Sequence, residues 1–397
     1  MAGALDGITV LDFGHFIAGP QCAALLGDFG ASVIRIERPE GANDREVGPI
    51  SDDPAAPGGS LYIQVNRNKR SLAIDPFNPA SRPVLDRLLA AADVVIANFP
   101  PRTLADMGLA YDRIAGINPR IVLCTCAAYG YQGAFAGKPG FDGIGQAMSG
   151  AMHMTAEDGR PRRAFPMYVD HATAALSAFG IMTALRAREA TGRGQVVEAA
   201  LLGTALSMTM SGIAEEAVLG LDRQGSGNRG QTAGPVDVFR TTDGWVLLQV
   251  VGASMFRRCA KLVGRPDWLD DPRFGDDLSR GENGIELSDG VGAWCAARST
   301  ADCLDAFARA GLPAAPVLSF RQALNDPDIA AQGFWQWRDV PGIDRPLPVM
   351  APPVHLSDTP GRVARMAPAL GADTDDILRA LGLDDADLAA LKQAEAI

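Results

Sequence analysis

Short apolar runs alternate with amphipathic stretches through the first hundred residues. Residues 8–13 (ITVLDF), 32–37 (SVIRIE) and 93–97 (DVVIA) predict buried strands, because short apolar runs bounded by turn residues are typical of parallel sheets. Helical spacing of apolar positions follows the first strand as far as Leu26 and recurs over 79–91. This alternation predicts an α/β domain of the doubly wound, Rossmann-like kind, in which ligands bind at the carboxyl ends of the strands.

Three further strands are predicted in this part of the chain, at 61–65, 71–75 and 121–128. The first two flank a basic cluster at 66–70 (NRNKR). The ordinary role of such a cluster is a solvated turn, and the alternative is binding of phosphate groups. The sequence leaves both open.

A smaller α+β domain is predicted after residue 222. Residues 236–250 alternate as a β-hairpin with Asp243 and Gly244 in its turn. Residues 225–230 (GSGNRG) have a formal GxGxxG spacing, but they follow a helix and precede a strand, the reverse of a dinucleotide cradle. Helical patterns follow the hairpin at 253–263, 285–297 and 300–310.

One acid, Asp170, stands at the centre of the chain between an apolar approach at 164–169 and small helix formers at 172–185. The pattern predicts a helix that begins about Asp170 and stops before 191–194 (TGRG), where glycine can take a left-handed conformation. A carboxylate at a helix start gains ~0.3–1 kcal/mol in its charged form, so we expect Asp170 to be ionised at neutral pH. An ordinary helix cap and a catalytic acid are the two candidate roles.

Composition and charge narrow the classes of partner. The chain has 397 residues, 47% of them hydrophobic, and a net charge of −11, which disfavours nucleic acid and anionic membrane surfaces. Apolar runs shorter than ~20 residues and an N-terminus without a basic segment predict a cytoplasmic protein. Cys124 and Cys126 share a strand face, but no second ligand cluster accompanies them, so no metal site is predicted.

Several motifs together resemble a known family. They are LDFxxxxAGP at 11–20, GAxVIRIERP at 30–39, NF at 98–99, FDxxxQAxSG at 141–150 and ALxxRxxTGRGQ at 184–195. The chain resembles the family III CoA-transferases, the group that includes formyl-CoA and carnitine CoA-transferases and the related α-methylacyl-CoA racemases. The resemblance covers essentially the whole chain and is strongest in residues 1–205.

The resemblance implies a reaction and a nucleophile. Asp170 matches the acid that attacks the acyl-CoA thioester to form a mixed anhydride, after which CoA passes to a free carboxylic acid. Coenzyme A then enters as the acyl-CoA substrate, and no metal takes part. The positions that match CoA-binding or substrate-binding residues of relatives are Phe16, Ile17, Ala18, Arg38, Ile74, Asn98, Phe99, Met107, Lys138 and Phe141.

This sequence departs from the family pattern at some positions that are expected to contact the CoA phosphates. Relatives carry charged residues at the positions of Phe77, Ala97 and Asp106, and Arg102 is the predicted substitute. The family also implies a domain layout, in which residues 1–222 form the large CoA-binding domain, 223–318 the small domain, and 319–397 a segment returning to the large domain. It implies a homodimer of two interlocked chains.

Alternatives within and outside the family remain. An α-methylacyl-CoA racemase would use Asp170 as a base, but racemases carry histidine at the position of Phe141, and phenylalanine cannot accept a proton. A non-catalytic acyl-CoA-binding protein has no need of an acid at 170. Ile17 stands where oxalate-handling members carry glutamine, and 249–254 (QVVGAS) replaces their multi-glycine loop, which disfavours formyl-CoA/oxalate exchange.

Overall fold

The computed structural model describes residues 3–397, which divide into two compact units. The first unit consists of Met1–Gly150, Ala164–Ala214 and Ala331–Ile397, and the second of Ala151–Arg163 and Glu215–Ala330. Each unit is defined by the contacts that its residues make with one another. The functional domain bounds at 222 and 318 stay a prediction.

A six-stranded parallel sheet forms the centre of the first unit. Its strands are β1 (Thr9–Asp12), β2 (Ser32–Glu37), β3 (Lys69–Ala73), β4 (Val94–Ala97), β5 (Val122–Ala127) and β6 (Val196–Ala200). The strand order is β3-β2-β1-β4-β5-β6, and Val10 of β1 pairs with Val33 on one side and Val94 on the other. Strands are added on one side of β1 as far as β3 and on its other side from β4 onward, so the strand order reverses between β1 and β4. Doubly wound sheets form their ligand crevice at such a reversal.

Helices of the first unit cover both faces of this sheet. They are α1 (Ala18–Asp28), α2 (Ser60–Val65), α3 (Arg82–Ala91), α4 (Pro101–Asp106), α5 (Tyr111–Ile117), α6 (Asp142–Met148), α8 (Tyr168–Thr191) and α9 (Leu201–Met208). Helix α7 (Ala151–Met154) belongs to the second unit, and α10 (Met210–Leu219) crosses the boundary between the units. Successive strand residues point to opposite faces, so Val10 packs in a core with residues of α1 and α8, while Leu11 packs in a core with residues of α3. A mixed α/β fold with a doubly wound sheet is thus confirmed.

The second unit contains the predicted hairpin. Its strands are β7 (Val236–Arg240), β8 (Trp245–Gln249) and β9 (Ala314–Pro316), all antiparallel to their neighbours. The helices that follow are α11 (Ala253–Leu262), α12 (Asp277–Glu282), α13 (Gly284–Ala296), α14 (Thr300–Arg309), α15 (Phe320–Asn325) and α16 (Pro327–Ala331). Phe256, Trp268 and Phe274 are buried at the centre of this unit's core.

The last residues of the chain belong to the first unit and pack beside β3. They form an antiparallel pair, β10 (Trp335–Arg338) and β11 (Leu347–Met350), and two helices, α17 (Thr374–Ala380) and α18 (Asp385–Gln393). The Asp373 carboxylate accepts the backbone N–H of Ser71 at 2.9 Å, and the carbonyl of Ala396 accepts that of Asp75 at 2.9 Å. These contacts cover the edge next to β3.

Two expectations for residues 61–70 are wrong. Residues 61–65 belong to helix α2, because a five-residue, mostly apolar run carries no distinctive period, and β3 forms the edge of the sheet. The basic cluster is not a solvated turn, because Arg67 and Lys69 are buried. Arg67 pairs with Asp28 and Lys69 pairs with Asp12, so neither of these two cations is free for phosphate. Among residues 3–397, no helix is long and apolar enough to cross a membrane.

Candidate active site

A cavity of about 240 Å³ lies where β1, β4 and β5 end. Its lining comes from residues 15–18, 98–101, 126–130 and 137–141, together with Asp170 and Leu201. The three strands are neighbours in the sheet, so their carboxyl-end loops meet at one edge. The cavity occupies the crevice that the strand pattern predicts.

Most of the predicted site residues line this cavity. They are Phe16, Ile17, Ala18, Asn98, Phe99, Lys138, Phe141 and Asp170. Four others do not. Arg38 is exposed beside Glu40 and Asp75, and Arg102 is exposed on α4. Ile74 and Met107 are buried in the hydrophobic core. Contacts of these four residues with CoA stay predictions.

Asp170 is the third residue of helix α8, and its side chain is 8% exposed. The helix begins two residues before the acid, so Asp170 lies in the first turn and does not cap it. The left-handed glycine is confirmed, since Gly192 follows the helix with φ 70°, but the helix extends through Thr191, one residue into the predicted stop segment. The role of a helix cap for Asp170 is therefore wrong.

The cap of α8 comes from another helix. One carboxylate oxygen of Asp142, the first residue of α6, accepts the backbone N–H groups of Val169 at 2.8 Å and of Asp170 at 3.3 Å. The other oxygen accepts the side-chain amide of Gln146, whose carbonyl accepts the N–H of Ala164. Asp142 and Gln146 are both buried. This pair holds the chain on both sides of the approach to Asp170.

The environment of Asp170 favours its neutral form. Burial raises the pKa of Asp170 to about 7, and the negative charge of Asp142 acts in the same direction. The expectation of a fully ionised acid at neutral pH is wrong, because the loss of hydration outweighs a helix-dipole gain of ~0.3–1 kcal/mol. At neutral pH part of this acid is ionised, and the ionised carboxylate can act as a nucleophile or a base.

The turn after β1 is held by Asn98 of the neighbouring loop. The Asn98 side chain accepts the backbone N–H of His15 at 2.7 Å and donates to the His15 carbonyl at 2.8 Å. The His15 ring packs edge-on against Phe99, with centroids 4.9 Å apart. Burial, and then the positive charge of Arg35, lowers the pKa of His15, so its imidazole is neutral at pH 7.

Aromatic rings and one cation form part of the cavity wall. The rings of Phe16 and Phe141 meet edge-on, with centroids 5.3 Å apart. The Lys138 ammonium lies 4.8 Å from the ring centroid of Phe135, which stacks on Tyr129. Among the described lining residues, Lys138 carries the only full positive charge and Asp170 is the only carboxylic acid.

The cysteines near the site are buried thiols. Cys126 lines the cavity, and its sulfur lies 3.3 Å from the Ser177 hydroxyl. Neighbouring Cys124 and burial hold the pKa of the Cys126 thiol well above its usual range, so it is protonated and a poor nucleophile. Within residues 3–397, no group of three or more His, Cys, Asp or Glu residues is arranged to hold a metal ion.

Sequence reasoning did not assign roles to Asp142 or Asp44. Asp142 stands inside the FDxxxQAxSG motif at the start of a predicted helix, and that position was the available signal. Asp44 lies in a short 3₁₀ helix (Asn43–Glu46) within a Pro- and Gly-rich stretch, and it accepts the backbone N–H of Phe16 at 2.9 Å. A long-range contact of this kind leaves no local pattern in a single sequence.

Known proteins match this chain along nearly its whole length. The family model described as CoA-transferase family III matches residues 5–374. The chain is 33% identical over 403 residues to a succinyl-CoA:D-citramalate CoA-transferase of Chloroflexus aurantiacus, covering 99% of this chain and 98% of that protein. It is 32% identical over 383 residues to a succinate:glutarate CoA-transferase of Agrobacterium fabrum, covering 95% of each.

A solved structure shares the fold. The crystal structure of a CAIB/BAIF family protein from Brucella suis superposes with a TM-score of 0.84 at 28% identity, covering 96% of this chain and 100% of that one. The chain belongs to CoA-transferase family III.

Proposed function

We propose that this family III CoA-transferase moves CoA from an acyl-CoA to a free carboxylic acid through a mixed anhydride on Asp170. The observation that carries the proposal is the position of Asp170. It is the only carboxylic acid among the described residues that line an otherwise largely apolar cavity at the strand ends. An acid with a pKa raised to about 7 in such a crevice is a candidate for chemistry.

The first half of the reaction uses the ionised carboxylate. An oxygen of Asp170 attacks the thioester carbonyl carbon, the C–S bond breaks, and CoA leaves as a thiolate that stays bound. The product on the enzyme is a mixed anhydride between Asp170 and the donor acyl group. Covalent catalysis of this kind divides one difficult exchange into easier acyl transfers.

The second half delivers CoA to the acceptor. The acceptor carboxylate attacks the Asp170 carbonyl carbon of the anhydride and displaces the donor acid. The CoA thiolate then attacks the acceptor acyl carbon, which forms the new thioester and returns Asp170 to its carboxylate. Bonds and charges balance without a net proton or an added cofactor.

The wall of the cavity suits an intermediate that water destroys. Anhydrides hydrolyse readily, so a productive site excludes bulk water while the intermediate exists. Phe16, Phe99 and Phe141 present apolar surface, and Asp170 is almost fully buried. We therefore assign these aromatic residues to shielding the anhydride.

We propose small dicarboxylic acids as the substrate class. The relatives from Chloroflexus and Agrobacterium are named for succinyl-CoA with D-citramalate and for succinate with glutarate. Lys138 supplies a cation at the cavity, where a second carboxylate of the acid or a CoA phosphate can pair with it.

We also propose that the protein works as a homodimer. Large apolar side chains are exposed on α8, on α9 and at the start of α10, all within the first unit, among them Phe179 at 72% and Met210 at 69%. Apolar surface of this extent is typical of interfaces. A second copy of the chain is the occupant that the family resemblance implies.

A matrix of donors and acceptors tests the reaction. Succinyl-CoA, acetyl-CoA and formyl-CoA are incubated with glutarate, citramalate, malate or oxalate, and new acyl-CoA is measured by mass spectrometry. We expect transfer from succinyl-CoA to at least one larger dicarboxylic acid, with hydroxylamine added during turnover converting Asp170 to a hydroxamate. No transfer with any pair, or no modification of Asp170 in an active enzyme, contradicts the mechanism.

Deuterium exchange separates transfer from racemisation. A racemase exchanges the α-proton of a 2-methylacyl-CoA with deuterated water. Phe141 offers no proton acceptor at the position where racemases carry histidine, so we expect no deuterium uptake. Uptake without transfer would assign Asp170 the role of a base.

A further inference from the structure

We infer that the buried pair Arg35 and Asp44 is a positioning device for the active-site turn. By binding the backbone at Gly14 and Phe16, the pair holds Phe16 in a left-handed conformation that places its ring in the cavity wall against Phe141. The inference rests on the proposed function, because the cavity is taken as the acyl-transfer site.

The conformation of Phe16 is unusual. Its φ is 61°, in the left-handed region that is unfavourable for a residue with a Cβ and that glycine takes freely. A bulky residue stays there only when its surroundings impose the conformation. Such outliers cluster at functional sites, and Phe16 lines the cavity that contains Asp170.

Asp44 and Arg35 supply that constraint. The Asp44 carboxylate accepts the Phe16 N–H at 2.9 Å, and both of its oxygens accept one Arg35 nitrogen at 2.9 and 3.0 Å. The second terminal nitrogen of Arg35 donates to the Gly14 carbonyl at 3.1 Å. Asp44 is 1% exposed and Arg35 is fully buried.

Other side chains complete the hold on this turn. Asp12 accepts the Gly14 N–H at 2.8 Å, and Asn98 binds both backbone groups of His15. From the Gly14 N–H to the Phe16 N–H, every backbone polar group of the turn is bound by a side chain. No strand or helix ladder reaches these residues of the described chain, so side chains alone determine the path of the turn.

The charges around the pair explain why it persists when buried. Glu37 lies 3.2 Å from Arg35, and Arg45 pairs in turn with Glu37. Lys69 pairs with Asp12, and Asn66 accepts hydrogen bonds from both Arg35 and Lys69. Buried ion pairs contribute little net stability, whereas an unpaired buried charge is costly. We therefore assign the buried Arg35–Asp44 pair the role of binding the backbone of the turn at Gly14 and Phe16.

The consequence for the site passes through the Phe16 ring. At an ordinary negative φ the Cα–Cβ bond points in another direction, and the edge-on contact with Phe141 is lost. Asp44 therefore acts on the acyl group through Phe16 and touches no substrate itself. If its role were stability alone, its effect on turnover would not depend on the residue at position 16.

A double-mutant cycle tests this dependence. Glycine at position 16 takes φ 61° without cost and has no ring, so F16G removes what Asp44 positions. We expect D44N to lower kcat by about tenfold or more beside Phe16 and by less than about twofold in the F16G background. KM for acyl-CoA changes less than kcat. D44N lowers the Tm in both backgrounds.

A matched control is available at another buried pair. D28N removes the charge that Arg67 binds, at a place outside the cavity lining. It should lower the Tm while leaving kcat of the folded enzyme unchanged. If D44N does not fold, R35K provides the same cycle, because a lysine ammonium can pair with Asp44 without also reaching the Gly14 carbonyl. Equal losses of kcat in the wild-type and F16G backgrounds would overturn the inference.

A second measurement needs no activity. If Phe16 is held left-handed, F16G should have a higher Tm than F16A, the reverse of the usual order of alanine and glycine. F16A equal to or more stable than F16G would overturn the proposed hold. A wild-type protein that transfers no CoA would contradict the proposed function, and the comparison of F16A with F16G would still report on the turn.

Discussion

The Asp142 carboxylate binds the backbone of Asp170, with the Asp170 N–H donating to Asp142 Oδ2 at 3.3 Å. The same oxygen accepts the N–H of Val169 at 2.8 Å. Asp142 thus caps the helix that carries the candidate nucleophile, and its charge adds to the effect of burial in raising the pKa of Asp170 to about 7. One residue contributes to both the position and the acidity of the other.

Replacing Asp170 removes the proposed nucleophile. We expect D170N and D170A to lower transfer by about a thousandfold or more, as loss of a covalent nucleophile does elsewhere. The fold should persist, because Asp142 caps the helix and Asp170 does not. Activity is measured with the best donor and acceptor, and circular dichroism and CoA binding serve as controls. Turnover near the wild-type rate in either variant excludes the anhydride on Asp170.

The rate of anhydride formation should depend on pH. Attack requires ionised Asp170, and since its pKa is raised to about 7, single-turnover rates should rise with pH and level off above that value. In D142N, burial remains but a negative charge is lost, so the midpoint should move to lower pH. An unchanged midpoint in D142N would show that Asp142 does not influence the acidity of Asp170.

The same raised pKa affects stability with a definite sign. Asp170 binds its proton more tightly in the folded protein than in the unfolded chain, where the pKa is about 3.9. Stability therefore falls as pH rises from about 4 to about 7. D170N lacks this titration, so the Tm of the wild type should decline relative to D170N across that window. Parallel Tm curves would contradict the raised pKa.

Asn98 should matter more for activity than an equivalent asparagine elsewhere. N98A removes two hydrogen bonds to His15 and should cost about 1–3 kcal/mol of stability. Asn118 makes comparable bonds to the Ala92 carbonyl and the Arg120 N–H, away from the cavity. N98A is expected to lower kcat/KM by about tenfold or more, while N118A lowers only the Tm. Equal activity of the two variants would assign Asn98 a structural role.

The proposed dimer should not separate on dilution. Interlocked chains bury far more than the ~1,200–2,000 Å² of a standard interface and cannot part without unfolding. Light scattering at micromolar concentration and mass photometry at nanomolar concentration should both give twice the 41.7 kDa of one chain. F179D places a charge on the exposed apolar surface of α8 and should impair assembly. A monomer at either concentration refutes the interlocked arrangement.

The strand and helix pattern was predictable where local sequence carries a clear period. β1, β2, β4 and β5 form around short apolar runs, and the hairpin of β7 and β8 has Asp-Gly in its turn, so their positions followed from the sequence. Residues 61–65 lack such a period and were assigned to the wrong element. Asp170 was identified because its motif resembles a known family, and the rule for parallel sheets predicted only that ligands bind where the strands end. The structure places Asp170 in the cavity at those strand ends.

The tertiary structure decided the physical state of these residues. A helix start suggested an ionised Asp170, but burial and the charge of Asp142, 28 positions away in the chain, raise its pKa. A basic run suggested a solvated turn, but Lys69 pairs with Asp12 across 57 positions. The left-handed Phe16 depends on Asp44 in a stretch without a pattern. Hydration and electrostatic energy depend on distances through space, and local sequence determines only distances along the chain.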